Sequence, residues 1–289
     1  MVASSKTNSA LIYRHTLPIR IMHWINVICF IVLLMSGLNI FNAHPALNLG
    51  KSSYNGFAPI LELSAVRTQN GELIGKTNIF GYVLNTTGVF GASRNSNGEL
   101  TARGFPAWAT IPSAQWLAMA RHWHFFFAWL FVINGFCYLT YSFFTKHVQH
   151  DLAVTKQDRA TIWQSIKDHI RFKHPHGEEA RHYNVLQKIA YLTVIFILLP
   201  LVIFMGWAMS PFLNSLLPGW VDFFGGRQSA RTIHFIVAWL LVAFVFIHVF
   251  EVIITGLWNN LRSMITGRYR IETTSGASPN TQKEDGVQP

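Results

Sequence analysis

Apolar residues dominate four long stretches of the chain, about 21–41, 115–144, 186–209 and 231–258, and polar segments separate them. A hydrocarbon core about 30 Å thick needs roughly 20 mostly apolar residues per helix. The pattern therefore predicts an all-α membrane protein, a bundle of four membrane-spanning helices. Pro18 can open the first helix and Arg20 can reach the headgroups. That stretch runs on into "FNAHPALNLG" without a small-x-small cleavage site, so it is read as a retained span rather than a signal peptide. Pro200 should kink the third helix.

The segments between the helices differ in character. Residues 42–114 are rich in Gly, Asn, Ser and Thr and hold no run long enough to span a membrane. A loop of that length is usually functional or disordered. Its aromatics, among them Tyr54, Phe57, Phe80, Tyr82, Phe105 and Trp108, argue for partial order, as a cap or a docking surface. In "DRATIWQSIKDHIRF", Ile162, Ile166 and Ile170 recur every four residues among charges, the mark of an amphipathic helix at the interface. Residues 1–270 are expected to form one membrane domain and the polar residues 271–289 a disordered tail.

Composition agrees with this reading: of 289 residues, 51% are hydrophobic and 12% charged, against about 25% charged in an ordinary soluble domain. The net charge of +10 could suggest nucleic acid, but fifteen of the 23 Lys and Arg fall in the N-terminal lead, the 145–188 loop and the C-terminal segment. By the positive-inside rule these parts are cytoplasmic, which puts both termini inside and the 42–114 loop outside. Cys29 and Cys137 both lie in expected helices, so no structural disulfide is anticipated.

Histidine carries the candidate chemistry. Of 13 histidines, His147, His150, His169, His174, His176 and His182 fall in the basic loop and read as solvated. His23, His122, His124, His234 and His248 lie inside or at the edge of apolar spans, where an ionisable group is costly and by default functional. From His234 to His248 a helix rises about 21 Å and turns four times less about 40°, so both imidazoles face one side at two depths. The alternating helix directions put His23 at the depth of His248 and His124 at the depth of His234.

A facing pair of imidazoles at each of two depths suits bis-histidine haem ligation from the core of a bundle. A ligating imidazole is also held neutral, which removes the cost of burying its charge. The two haems would be b-type and non-covalent, since no C-x-x-C-H motif is present. Gly37, Gly135 and Ala238 could let a macrocycle approach the backbone. His122 stands about 200° around the helix from His124, so only one of the two can face the bundle. A proton or ion pathway through the same histidines remains the alternative at this point.

Four motifs carry a resemblance: "RIMHW" opening the first helix, "RHWHFFF" in the second, "YNVLQK" before the third, and "GGRQSARTIH" leading into the His-x13-His of the fourth. In these the chain resembles dihaem cytochrome b subunits of bacterial respiratory enzymes, such as formate dehydrogenase gamma subunits and the b-type cytochromes of Ni,Fe-hydrogenase and thiosulfate reductase. The resemblance implies two haems with the pairs His23/His248 and His124/His234 as iron ligands. It also implies a quinone site beside the inner haem, with Asn184 and Gln187 in the matching positions. The long outer loop departs from the formate dehydrogenase pattern. It is similar to loops in cytochromes b associated with sulfite-oxidase-type molybdoenzymes, which implies an extracytoplasmic, molybdenum-containing oxidoreductase partner.

The expected function is thus a cytochrome b subunit of the bacterial inner membrane that carries electrons between quinone and an extracytoplasmic partner. The alternatives are a self-contained quinone-linked oxidoreductase of a small soluble reductant and, from another class, a proton or ion transporter.

Overall fold

A computed structural model of the protein describes residues 7–53, 56–170 and 184–274. Four helical stretches are long and apolar enough to cross a membrane: α1 (Leu17–Asn42), α2 (Leu117–Thr145), Val185–Ala208, and α8 (Arg227–Ile254). Pro18 sits in the first turn of α1, where its missing N–H has no partner to lose. The third span is not one continuous helix. It comprises α4 (Val185–Thr193), a π-helical turn (Val194–Leu198) and α5 (Leu199–Ala208). Pro200 cannot donate to the carbonyl four residues back, and the widened turn just before it takes up the mismatch.

Between α2 and α4 lies α3 (Lys156–Ile170), the amphipathic helix, with Ile162 and Ile166 half-buried and Trp163 exposed. The side chain of Ile170 lies outside the described residues. Asp158 ties the start of α3 to α4: it accepts from the Thr155 backbone at 2.8 Å and pairs with Lys188 at 2.9 Å. After α5, the short helices α6 (Pro211–Leu216) and α7 (Trp220–Phe223) lead to Gly225 and Gly226, whose positive φ values let the chain turn into α8. The fourth apolar stretch, expected to reach 258, breaks at Gly256 (φ 109°), and α9 (Leu257–Thr266) follows in a new direction.

Two parts of the structure correct the all-α expectation. Residues 42–114 fold largely as β-structure. Strands β2 (Ala46–Leu47), β3 (Leu61–Arg67), β4 (Leu73–Ile79) and β5 (Tyr82–Asn85) form an antiparallel sheet in that order, and β6 (Ala92–Arg94) pairs with β7 (Leu100–Ala102). The two ends of the described chain also pair: β1 (Thr7–Tyr13) runs antiparallel to β8 (Arg268–Thr274). Ile271 is buried there, so ordered chain extends past the boundary expected at residue 270. The remainder of the expected tail, 275–289, lies outside the described residues.

The β-cap sits on the helix ends opposite β1 and β8. A buried cluster of Leu38, Phe41, Leu47, Leu63 and Phe105 joins it to α1, with Phe235 of α8 packed alongside. Asn42, at the end of α1, accepts from the Phe105 backbone N–H at 2.6 Å and donates to the Phe105 carbonyl at 3.2 Å. Buried Arg103 donates to the carbonyls of Phe105 and Ser113 and to the Thr110 hydroxyl. On α8, Thr232 donates to the Asn48 carbonyl at 2.7 Å and the Ser229 hydroxyl accepts from Gly50 N–H at 2.8 Å. Every anchor spends a polar side chain on loop backbone that would otherwise be buried unpaired.

Candidate functional site

The helices bring four of the five intramembrane histidines together in two pairs. The rings of His124 (α2) and His234 (α8) face each other near the cap with centroids 6.2 Å apart. Those of His23 (α1) and His248 (α8) do so at the other end with centroids 6.4 Å apart. His122 is exposed, so His124 is the one that meets α8. Cys29 and Cys137 are both free thiols, Cys29 buried and Cys137 exposed.

Neighbouring groups set the orientation of each ring near the cap. The Nδ1 of His234 lies 2.8 Å from the Val202 carbonyl, which can only accept, so Nδ1 carries the hydrogen and Nε2 is left as a lone-pair donor. The Nδ1 of His124 lies 3.1 Å from the Ser36 hydroxyl, which itself donates to the Val32 carbonyl at 2.6 Å. A hydroxyl has one hydrogen, so Ser36 accepts from His124, and again Nε2 is left over. Gly37 makes room for a ring, since a Cβ there would come within 3.3 Å of His124; a Cβ on Gly206 would make only ordinary contact with His234 at 3.5 Å. Gly37 lies 14 residues after His23, the same separation as between the two histidines of α8, which places it at the depth of the cap-side pair. By contrast, a Cβ on Gly135 would meet nothing within 4 Å.

The second pair is framed differently. His248 stacks on Phe244 (6.0 Å, 15°) and meets Tyr191 of α4 edge-on at 6.3 Å. The Nδ1 of His23 is buried with no hydrogen-bond partner. Between the two depths Asn134, buried on α2, donates to the Met22 carbonyl and to the Asn26 side chain, locking α1 to α2.

The site residues that sequence reasoning missed are Ser36, Val202, Gly206 and Tyr191. Gly206 alone carries a readable signal, a glycine inside an apolar helix. Val202 acts through its backbone, which leaves no trace in residue identity.

Asn184 and Gln187 form a capping box at the start of α4. Asn184 Oδ1 accepts from Leu186 N–H at 3.1 Å and Gln187 Oε1 from Asn184 N–H at 3.3 Å. They precede Tyr191 by seven and four residues, so they share the face of α4 that meets His248. The imidazoles of His174, His176 and His182, and Tyr183 of the "YNVLQK" motif, lie outside the described residues.

Outside the spans the charges are tuned by burial. His15, ahead of α1, is pushed down to about 4, chiefly by burial, with Arg14 adding to the effect. It lines a cavity of about 190 Å³ together with Arg14, Thr16, Tyr141, His147 and His150. His44, at the cap joint, is lowered by burial and then by Arg231, with Glu62 opposing. Burial also lowers Arg103. The backbone hydrogen bond from Thr155 holds the Asp158 carboxyl below its usual range, with Lys188 adding to it.

The donor set fits a haem iron. Two imidazoles bound on opposite sides of one iron, with metal–nitrogen bonds of about 2.0 Å, would have ring centroids roughly 6.3 Å apart, which is the spacing both pairs show. Among the described residues no three His, Cys, Asp or Glu side chains gather to hold a bare ion. A macrocycle would supply the remaining ligands around an iron held by two such nitrogens.

Residues 14–267 match the family model described as prokaryotic cytochrome b561. The chain belongs to the prokaryotic cytochrome b561 family. It is therefore a multi-pass membrane electron-transfer protein of the b-type cytochrome class, and its cofactor is b-type haem. Among curated proteins it is similar to one from Azospira oryzae, provisionally named protein-methionine-sulfoxide reductase subunit YedZ1. The two are 28% identical over 235 residues, 80% of this chain and 85% of the relative. No solved structure matches the chain.

Proposed function

We propose that the protein is a dihaem cytochrome b that conducts electrons through the bacterial inner membrane between a quinone pool and an extracytoplasmic oxidoreductase. His124 and His234 would hold one haem beneath the β-cap, and His23 and His248 the other near β1 and β8. The observation that carries this reading is the equal ring spacing of the two pairs, each matched to one iron between two imidazoles. When bound, the haems supply one-electron redox chemistry, and the chain holds them at two depths about 21 Å apart along α8. The excess of Lys and Arg beside the β1 and β8 end supports a cytoplasmic location for both termini and an extracytoplasmic one for the cap. The membrane unit would comprise the described chain as far as Thr274.

The quinone site is assigned to the cytoplasmic side of His23/His248, along the face of α4 that carries Tyr191, Gln187 and Asn184. The capping box occupies both amide oxygens of that motif. What the pair would offer a quinone carbonyl is therefore an amide N–H.

For the other end, the cap would serve as the docking surface of a protein partner; in a self-contained enzyme it would instead shape a substrate pocket. The Azospira relative is by its name a subunit of a reductase, and a molybdenum-containing oxidoreductase fits the one-electron exchange required. Stopped-flow mixing of the purified cytochrome with a soluble quinol analogue tests the reading. Reduction of both haems, with the His23/His248 haem leading, is expected. Failure of the quinol to reduce either would remove the quinone from the account.

A further inference from the structure

An arginine stands three residues before each of three ligand candidates: Arg20 before His23, Arg121 before His124 and Arg231 before His234. Three residues of helix rise about 4.5 Å and turn to within about 60° of the starting face. Each arginine therefore lies one turn nearer the adjacent membrane surface than its histidine, on an overlapping side of the helix.

Two of the three are set inside the protein. Arg231 is half-buried at the cap joint, donates to the His44 carbonyl and lies over the Phe41 ring at 5.4 Å. Phe41 in turn is one turn beyond Gly37, the residue that abuts His124. The guanidinium is thus located from two helices at once, just outward of the His124/His234 pair. Arg20 is half-buried at the opposite end, donates to the Ile265 carbonyl and has a buried Nε with no partner. Among the described residues neither arginine pairs with a carboxylate. Arg121 repeats the spacing but is exposed and lies over Phe125, so it is left out.

A half-buried guanidinium whose hydrogen-bond acceptors among the described residues are neutral carbonyls favours direct counter-ions beside it. A haem between the histidines brings two, because its propionates extend from one edge of the ring and favour the nearer membrane surface. We propose that Arg231 binds a propionate of the haem held by His124/His234, and Arg20 one of the haem held by His23/His248. The inference rests on the ligand pairs proposed above. Each arginine neutralises the carboxylate, fixes which way the haem edge points and keeps the haem bound.

Redox titration of the purified cytochrome in detergent, with the haem bands resolved, tests this. Removing a cation beside the iron favours the ferric state, so Arg231→Gln should lower the midpoint potential of the cap-side haem alone and Arg20→Gln that of the other alone. Each variant should also release its haem to apomyoglobin about tenfold faster. Reconstitution with the dimethyl ester of haem, which has no propionate charge, should make wild type and variants release haem at equal rates. Selective effects that vanish with the ester support the proposal. Unshifted potentials, or release differences that persist with the ester, overturn it. The ligand reading fails separately, if His234→Ala and His248→Ala retain both haems.

Discussion

His234 gives its Nδ1 hydrogen to the Val202 carbonyl, 2.8 Å away on α5, and so keeps its Nε2 as a lone-pair donor, with its ring 6.2 Å from that of His124. His124 is held in the matching way by Ser36. Outer hydrogen bonds of this kind fix the tautomer of a ligating imidazole and raise its basicity. Replacing Ser36, which is fully buried, by Ala removes the hydroxyl acceptor of the His124 N–H and leaves it the Leu33 carbonyl alone. The Ser36→Ala protein should lose about 0.5–1.5 kcal/mol of stability, the net contribution of one hydrogen bond. With a less basic imidazole on the iron, the cap-side haem should titrate at a higher potential. Thermal unfolding and redox titration check the two effects.

The glycines that abut the rings should differ in tolerance. A Cβ at Gly206 makes only ordinary contact with His234, and Ala is the better helix former by up to about 1 kcal/mol. Gly206→Ala should keep full haem content and stability. At Gly37 the contact with His124 is already tight at the Cβ, and a leucine has no room. Gly37→Leu should displace the ring and lose the cap-side haem while sparing the other, as read by pyridine haemochrome assay.

Arg103 organises the β-cap. Truncation to Ala would strip the carbonyls of Phe105 and Ser113 and the Thr110 hydroxyl of a shared, buried donor. Hydrogen bonds to a charged group contribute about 1.5–3 kcal/mol each, so the cap should open first. Limited proteolysis of Arg103→Ala should cut within residues 43–116 well before wild type does, with Arg103→Lys between the two.

His15 sets an acid limit. Its folded-state value of about 4 lies below the usual imidazole value of about 6.5. The unfolded chain therefore binds more protons between these values. Stability attributable to His15 is complete above about pH 6.5 and declines as the pH falls toward 4. His15→Gln should flatten the fall in melting temperature across that window. An unchanged slope would show that other groups control it.

The spans and the histidine pairs were legible because physics leaves the membrane few options. Backbone groups in hydrocarbon must pair within the segment, so a 20-residue apolar run declares itself, and a 14-residue spacing on one helix fixes both face and depth. Even there the ends moved. The break at Gly256 and the π turn before Pro200 depend on local φ and on relief of one clash, which hydropathy does not register.

The β-cap was missed although its turns were visible. Asn70-Gly71 joins β3 to β4, and Asn97-Gly98 joins β6 to β7, with both glycines at positive φ. The strands they connect are short, and a polar loop between two spans draws attention away from period-two alternation such as "LELSAV". The pairing of β1 with β8 joins residues more than 250 apart in sequence and has no local signature at all.

The central claim is that each histidine pair holds one haem. Pyridine haemochrome quantification against protein concentration, on wild type and on His248→Ala and His124→Ala, tests it most directly. The account predicts two haems per chain in wild type and one in each variant, with the remaining haem differing in potential between the variants. A single haem in wild type, or either variant retaining two, would contradict it.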